Sequence, residues 1–118
     1  MKLFLTSFLA FALSSFSYAG DPPKNTPELL KKGSAAFTAN CVTCHGEKGD
    51  GLGDAGKYMS PHPRNFATDK FKSGDKVTDL FKTITKGLDG TAMAGFPDLP
   101  EADRWGLAYY VLSFKRKK

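Results

Sequence analysis

Apolar residues recur at intervals of three and four in three stretches of this chain, and no stretch alternates as a half-buried strand would. In the first stretch Leu30, Gly33, Phe37 and Cys41 share one helical face. Thr26-Pro27-Glu28 precedes them as a start signal: a hydroxyl that can cap, a proline whose missing N–H is harmless in the first turn, and an acid near the positive end of the dipole. The pattern predicts a helix from Pro27 to about Cys44, stopping near Gly46. The second stripe is Val77, Leu80, Phe81 and Ile84, with Asp75 as the expected cap and Gly87 as the stop. The third is Leu107, Tyr110, Val111 and Phe114, flanked by Trp105 and Tyr109, in a helix expected from near Pro100 to about Phe114. Glu101 and Asp103 lie in its first turn and basic residues at its end, as the helix dipole prefers.

Glu47 to Gly74 has no sustained period and is broken by glycines and prolines, with one short helical turn expected near Asp54–Tyr58. Leu88 to Leu99 is a second loop. Connections longer than about 12–15 residues are uncommon in a compact domain unless they serve a function. The fold class expected is all-α: three main helices and two long loops.

The N-terminus changes the picture of where the chain works. Lys2 precedes an apolar run from Leu3 to Phe16, interrupted by Thr6, Ser7, Ser14 and Ser15, and Ser17-Tyr18-Ala19 offers small residues where a signal peptidase reads. Residues 1–19 are therefore expected to be an export signal and residues 20–118 one domain, delivered to the periplasm with no membrane span after cleavage. The run falls short of the roughly 18–20 residues that cross a bilayer; retention as an anchor is the alternative. Lys and Arg number 17 against 12 acids, a formal charge of +5 of which Lys2 contributes one. So mild an excess suits steering toward an acidic protein surface and not nucleic-acid binding. The Lys115–Lys118 tail is expected to be solvated and frayed.

Chemistry concentrates in Cys41-Val42-Thr43-Cys44-His45. C-x-x-C-H is the attachment signature of c-type haem. Cysteines three apart on one helical turn place their Cβ atoms about 5–6 Å from one another, so both thiols can reach the vinyl groups of one porphyrin. His45, next along, can then present its imidazole to the iron. A zinc site would need more ligands, yet the chain has 2 Cys and 2 His in all. A thioredoxin-like pair would follow a strand, and here a helical pattern precedes the motif. One covalent haem c with its iron is the expected cofactor, and its faces must be covered by a small chain with a modest core. For the second axial position the candidates are Met59, Met93, His62 and the lysines. Met93 stands between Ala92 and Ala94 in a loop bounded by Gly90 and Gly95, a small apolar setting that can approach a haem face and exclude water.

With these motifs placed, residues 27–114 resemble the class I monohaem cytochromes c, in particular the short bacterial type similar to the haem domains of terminal-oxidase cytochrome c subunits. The resemblance is carried by Gly33-x-x-x-Phe37-x-x-x-Cys41, the haem motif with Gly46, Gly49-Asp50-Gly51, Pro61-x-Pro63-Arg64-Asn65-Phe66, Gly90-Thr91-x-Met93, and Trp105 to Tyr110. It implies a cytochrome c fold wrapped around the haem, in which Gly33 and Phe37 meet Leu107 and Tyr110 where the first and last helices cross. It also implies Met93 as the sixth ligand and Pro61 or Pro63 as the residue whose carbonyl orients His45. Arg64 is a candidate to neutralise a haem propionate, and Trp105 is expected to pack, not to conduct electrons.

The function expected is a soluble periplasmic electron carrier, not an enzyme. It would make one-electron exchanges, as a monomer and through the haem edge, with redox proteins: a donor such as a quinol-oxidising complex, an acceptor such as a terminal oxidase or reductase. The alternatives are a small haem enzyme or gas sensor with a labile sixth ligand, and a fixed haem subunit of a respiratory complex.

Overall fold

The computed structural model describes residues 21–116; the segment expected to be an export signal, and residues 117 and 118 of the basic tail, lie outside them. Helix α1 runs Pro27–Asn40. Thr26 caps it as its composition predicts, the hydroxyl accepting from the Leu29 N–H at 3.2 Å. The helix does not continue to Cys44. It ends at Asn40, its cap Cys41 leaves the helical region with a φ of −120°, and a single turn, α2 (Val42–His45), follows. The Asn40 side chain donates to the Ala36 carbonyl at 2.9 Å, one of the last acceptors of α1. Gly46, at φ 76°, then reverses the chain in a conformation that a side chain would strain.

The connection that follows holds one 3₁₀ turn, Gly56–Tyr58, within the stretch where a turn was expected. Helix α3 is Val77–Lys86. Lys76, not Asp75, occupies its N-cap position, and the Asp79 carboxylate accepts from the Lys76 N–H at 3.1 Å. Asp75 faces elsewhere, toward the Phe71 N–H and the Lys115 ammonium, each at 3.4 Å. Lys115 also lies 4.4 Å over the Phe71 ring, so this first residue of the basic tail is tied down and not frayed. Helix α4 spans Glu101–Ser113, and a 3₁₀ turn extends it through Phe114–Arg116. Among the described residues the only extended pairing is a single bridge between Gly87 and Ala94.

The helices assemble by crossing α1 over α4 and laying α3 against α4. At the first crossing Phe37, 1% exposed, packs its ring 5.2 Å from Tyr110. Gly33 lies against the backbone of Gly106 and Leu107: a Cβ added there would overlap the Gly106 carbonyl and come within 2.9 Å of the Leu107 nitrogen. The small residue that α4 contributes is thus Gly106, which stands outside the Leu107, Tyr110, Val111 and Phe114 stripe. Trp105 stacks on Phe81 at 3.9 Å and donates its indole N–H to Glu101 at 3.2 Å, joining α3 to α4. One core cluster results, built from Phe37, Phe66, Leu80, Ile84, Leu107, Val111 and Phe114.

Candidate haem site

Against this core the two loops and α2 leave a cleft of about 340 Å³, within the usual range for small-molecule and cofactor sites. Cys41 and Cys44 both line it, as does His45. The Cys44 and His45 amides both donate to the Cys41 carbonyl, at 3.2 and 2.9 Å, and close the turn that carries both cysteines. The two cysteines are free, not bridged. Burial, and secondarily the neighbouring Cys44, pushes the Cys41 thiol up to about 11, so it stays protonated at neutral pH.

Burial holds the His45 imidazole below its ordinary pKa, and the Arg64 backbone carbonyl pulls weakly the other way. The ring is therefore neutral, which is the form that binds a metal. Its Nδ1 is buried without a partner at hydrogen-bonding geometry. Phe66 stacks on the imidazole, with centroids 4.5 Å apart and planes 24° from parallel. In the sequence Phe66 stands only as a loop aromatic just after a Pro-x-Pro turn, and nothing local places it on His45.

Each residue singled out for the site lines the cleft: Pro61, Pro63, Arg64 and Met93, with the rival axial candidates Met59 and His62. The Ser60–Pro61 bond is cis. The Arg64 backbone carbonyl lies near the imidazole, and the Pro63 carbonyl is pressed against Gly51. Met93 is held by its own loop: its N–H donates to the Thr91 hydroxyl at 3.2 Å and its carbonyl accepts from Leu88 at 3.0 Å. A second, inner pocket of about 80 Å³ runs into the core, and His45, Arg64 and Met93 border it too, whereas Met59 and His62 do not. Lys72, which the sequence did not single out, lines both spaces beside Arg64.

The donor set and walls can be tested against a haem. Two thiols stand on one wall, a neutral imidazole is buried beside them, and thioethers are available from the loops. Ala92, Ala94, Leu88 and Phe96 supply apolar cover. Arg64 and Lys72 are cations, and no carboxylate lines the cleft, which suits the anionic edge of a porphyrin. These residues fit the group. Among the described residues no cluster of three or more His, Cys, Asp or Glu side chains offers a rival metal site.

A small all-α domain whose C-x-x-C-H turn, buried imidazole and apolar cleft are built for covalent haem is a c-type haem domain. The chain belongs to the cytochrome c family, whose profile matches residues 30–115. It is 35% identical over 95 residues to the cbb3-type cytochrome c oxidase subunit FixP of Azorhizobium caulinodans, covering 80% of this chain and 30% of that protein. It is 35% identical over 81 residues to the cbb3-type oxidase subunit CcoP of Azospirillum brasilense, covering 69% of this chain and 27% of that subunit. The chain thus spans less than a third of the length of these curated relatives. A solved chain of the reducing HAO-like protein complex of Kuenenia stuttgartiensis superposes with a TM-score of 0.73 at 32% identity, over 80% of this chain and 47% of that one. The cofactor is haem c with its iron, and the domain's activity is electron transfer through it.

Proposed function

We propose that this chain works as a haem-bearing electron relay of a respiratory complex, with its iron held axially by His45 and Met93 and its porphyrin joined to Cys41 and Cys44. One observation carries the reading: a single cleft brings both thiols, the buried neutral imidazole and the Met93 thioether together, with no carboxylate on its lining. Bound there, the haem supplies an Fe(III)/Fe(II) couple whose potential a His/Met pair raises, because the soft thioether favours the reduced ion. The protein's own part is positional. Phe66 and burial hold the imidazole in place and neutral, and Ala92, Ala94 and Phe96 exclude water from the Met93 side. Arg64 and Lys72 offset the charge of the propionates.

Assignment to a complex, in preference to a freely diffusing carrier or a small haem enzyme, draws on the relatives: FixP and CcoP are oxidase subunits, and the solved neighbour is part of an HAO-like complex. Export to the periplasm is part of the same proposal, supported by the signal-like residues 1–19. No helix among the described residues is long and apolar enough to cross a membrane, so any attachment of this domain would be through protein contacts or residues outside that span. Affinity capture of a tagged chain from native membranes in mild detergent tests the reading. Recovery of a stoichiometric oxidase or reductase complex, stable to moderate salt, is the expected result. Capture of holoprotein alone, with only salt-labile partners, would return the function to a diffusing carrier.

A further inference from the structure

The loop between α3 and α4 carries Met93, and its two ends are fastened differently. Near α3 it is tied by backbone: the Phe96 N–H donates to the Ile84 carbonyl at 2.8 Å, and Gly87 bridges Ala94. At the far end, where the chain enters α4, the fastening comes from a side chain. Arg104 donates from Nε to the Leu99 carbonyl at 3.0 Å and from Nη1 to the Thr85 hydroxyl at 2.9 Å. Thr85 is itself fixed, its hydroxyl donating to the Phe81 carbonyl at 2.8 Å. The guanidinium carbon lies 5.1 Å from the centre of the Phe81 ring, which also stacks on the Trp105 indole. One planar fork thus pins the end of the loop to the helix from which the loop began.

We infer that Arg104 is a positioning residue that clasps the Met93 loop shut, and so sets how readily the iron's sixth position opens to outside ligands. The inference rests on the reading of Met93 as the sixth ligand. Arg104 does not line the cleft, so it acts through the loop and not on the haem. Lifting Met93 away requires the segment from Leu88 to Leu99 to swing, and that swing stretches the arm that holds the Leu99 carbonyl, while the arm to Thr85 keeps the fork anchored on α3. The apparent affinity of an outside ligand scales with the fraction of molecules in which the loop is open. Hydrogen bonds from a charged donor are among the stronger ones, so losing two should raise that fraction by roughly tenfold or more. A lysine carries the charge on a single point and cannot span both acceptors.

The test is titration of the ferric holoprotein with free imidazole, followed by loss of the weak far-red Met–sulfur band. Arg104→Gln should bind imidazole about tenfold or more tightly, Thr85→Val should move in the same direction by less, and Arg104→Lys should not restore the parent affinity. Lys82→Gln, exposed on α3, should leave it unchanged. Tyr110→Leu loosens the α1–α4 crossing away from the loop and controls for general loss of stability: at a matched fall in Tm it should not tighten imidazole binding. Unchanged affinity in Arg104→Gln, or an equal gain in Tyr110→Leu, overturns the inference. Met93→Ala separates the two levels. A band retained there overturns the ligand reading and the inference with it; a band lost there, beside unchanged affinity in Arg104→Gln, overturns the inference alone.

Discussion

The side chains that would bind the cofactor differ in how much their surroundings prepare them. His45 is neutral, buried and stacked on Phe66, so its readiness to ligate comes from residues distant in sequence as well as from its place in the motif. The thioethers are less equal than their chemistry suggests. Met59 and Met93 both line the cleft, but only Met93 also borders the inner pocket with His45. Replacing Met93 by Ala should leave the haem covalently attached, since both thiols and the imidazole remain. It should abolish the far-red band and lower the midpoint potential, because the soft donor is gone. Met59→Ala should change neither. Optical spectra of the two oxidised variants check this, and a band lost in Met59→Ala but kept in Met93→Ala would reverse the assignment.

Among the elements, the crossing of α1 and α4 is what carries the haem turn on a fixed support. Gly33 and Gly106 let the two backbones touch, and Phe37 fills the space one turn along. Gly33→Ala would gain helix propensity in isolation, by up to about 1 kcal/mol. In the folded chain its Cβ meets the Gly106 carbonyl, a rigid neighbour, so the net result should be a loss of about 3 kcal/mol or more. For a domain of this size that is a fall in Tm of more than about 10 °C, readable by thermal unfolding of the holoprotein. A variant as stable as the parent would show that the crossing can slide. The helices themselves were largely legible in the sequence: α3 and α4 begin and end within a residue or two of the predicted bounds, because capping and glycine stops are local chemistry. The break at Cys41 was not, because the apolar period runs on through Cys41 and no glycine or proline marks the point.

For the molecule as a whole, the cofactor and the core are one problem. The buried cluster is small, and a cleft of about 340 Å³ opens against it. A chain with Cys41 and Cys44 both changed to Ala, and therefore without attached haem, should be largely unfolded or molten, since the helices lose the apolar body they pack on. Far-UV circular dichroism with thermal melting checks this; a cooperative transition in the haem-free chain matching that of the holoprotein would count against it. Charge acts at the same scale. Arg64 lines the cleft, Lys86 is exposed at the end of α3, and Lys57 is shared with Asp54 at 3.8 Å. If these cations draw an acidic partner to the haem edge, stopped-flow electron transfer should slow steeply with salt, as the screening length falls from about 10 Å at 0.1 M to about 3 Å at 1 M. The midpoint potential should barely move. Lys57→Gln should matter less than Lys86→Gln, since its charge is already partly offset. Rates flat or rising with salt would show that the basic residues do not steer.

By itself the sequence determined what is local or covalent: where three helices start and stop, which turn offers two thiols and an imidazole to one porphyrin, and which residues could stand on the far side of it. These follow from periods of three and four, from caps, and from a motif whose spacing is its chemistry. Tertiary structure alone decided what depends on residues meeting from distant parts of the chain. It brought Gly106 against Gly33, laid Phe66 on His45, set Lys72 and Arg64 on the lining of one cleft and gave Arg104 its hold on both Leu99 and Thr85. Gly106, Phe66, Lys72 and Arg104 belong neither to a hydrophobic stripe nor to the haem motif, and each acquires its role only from the close approach that packing enforces.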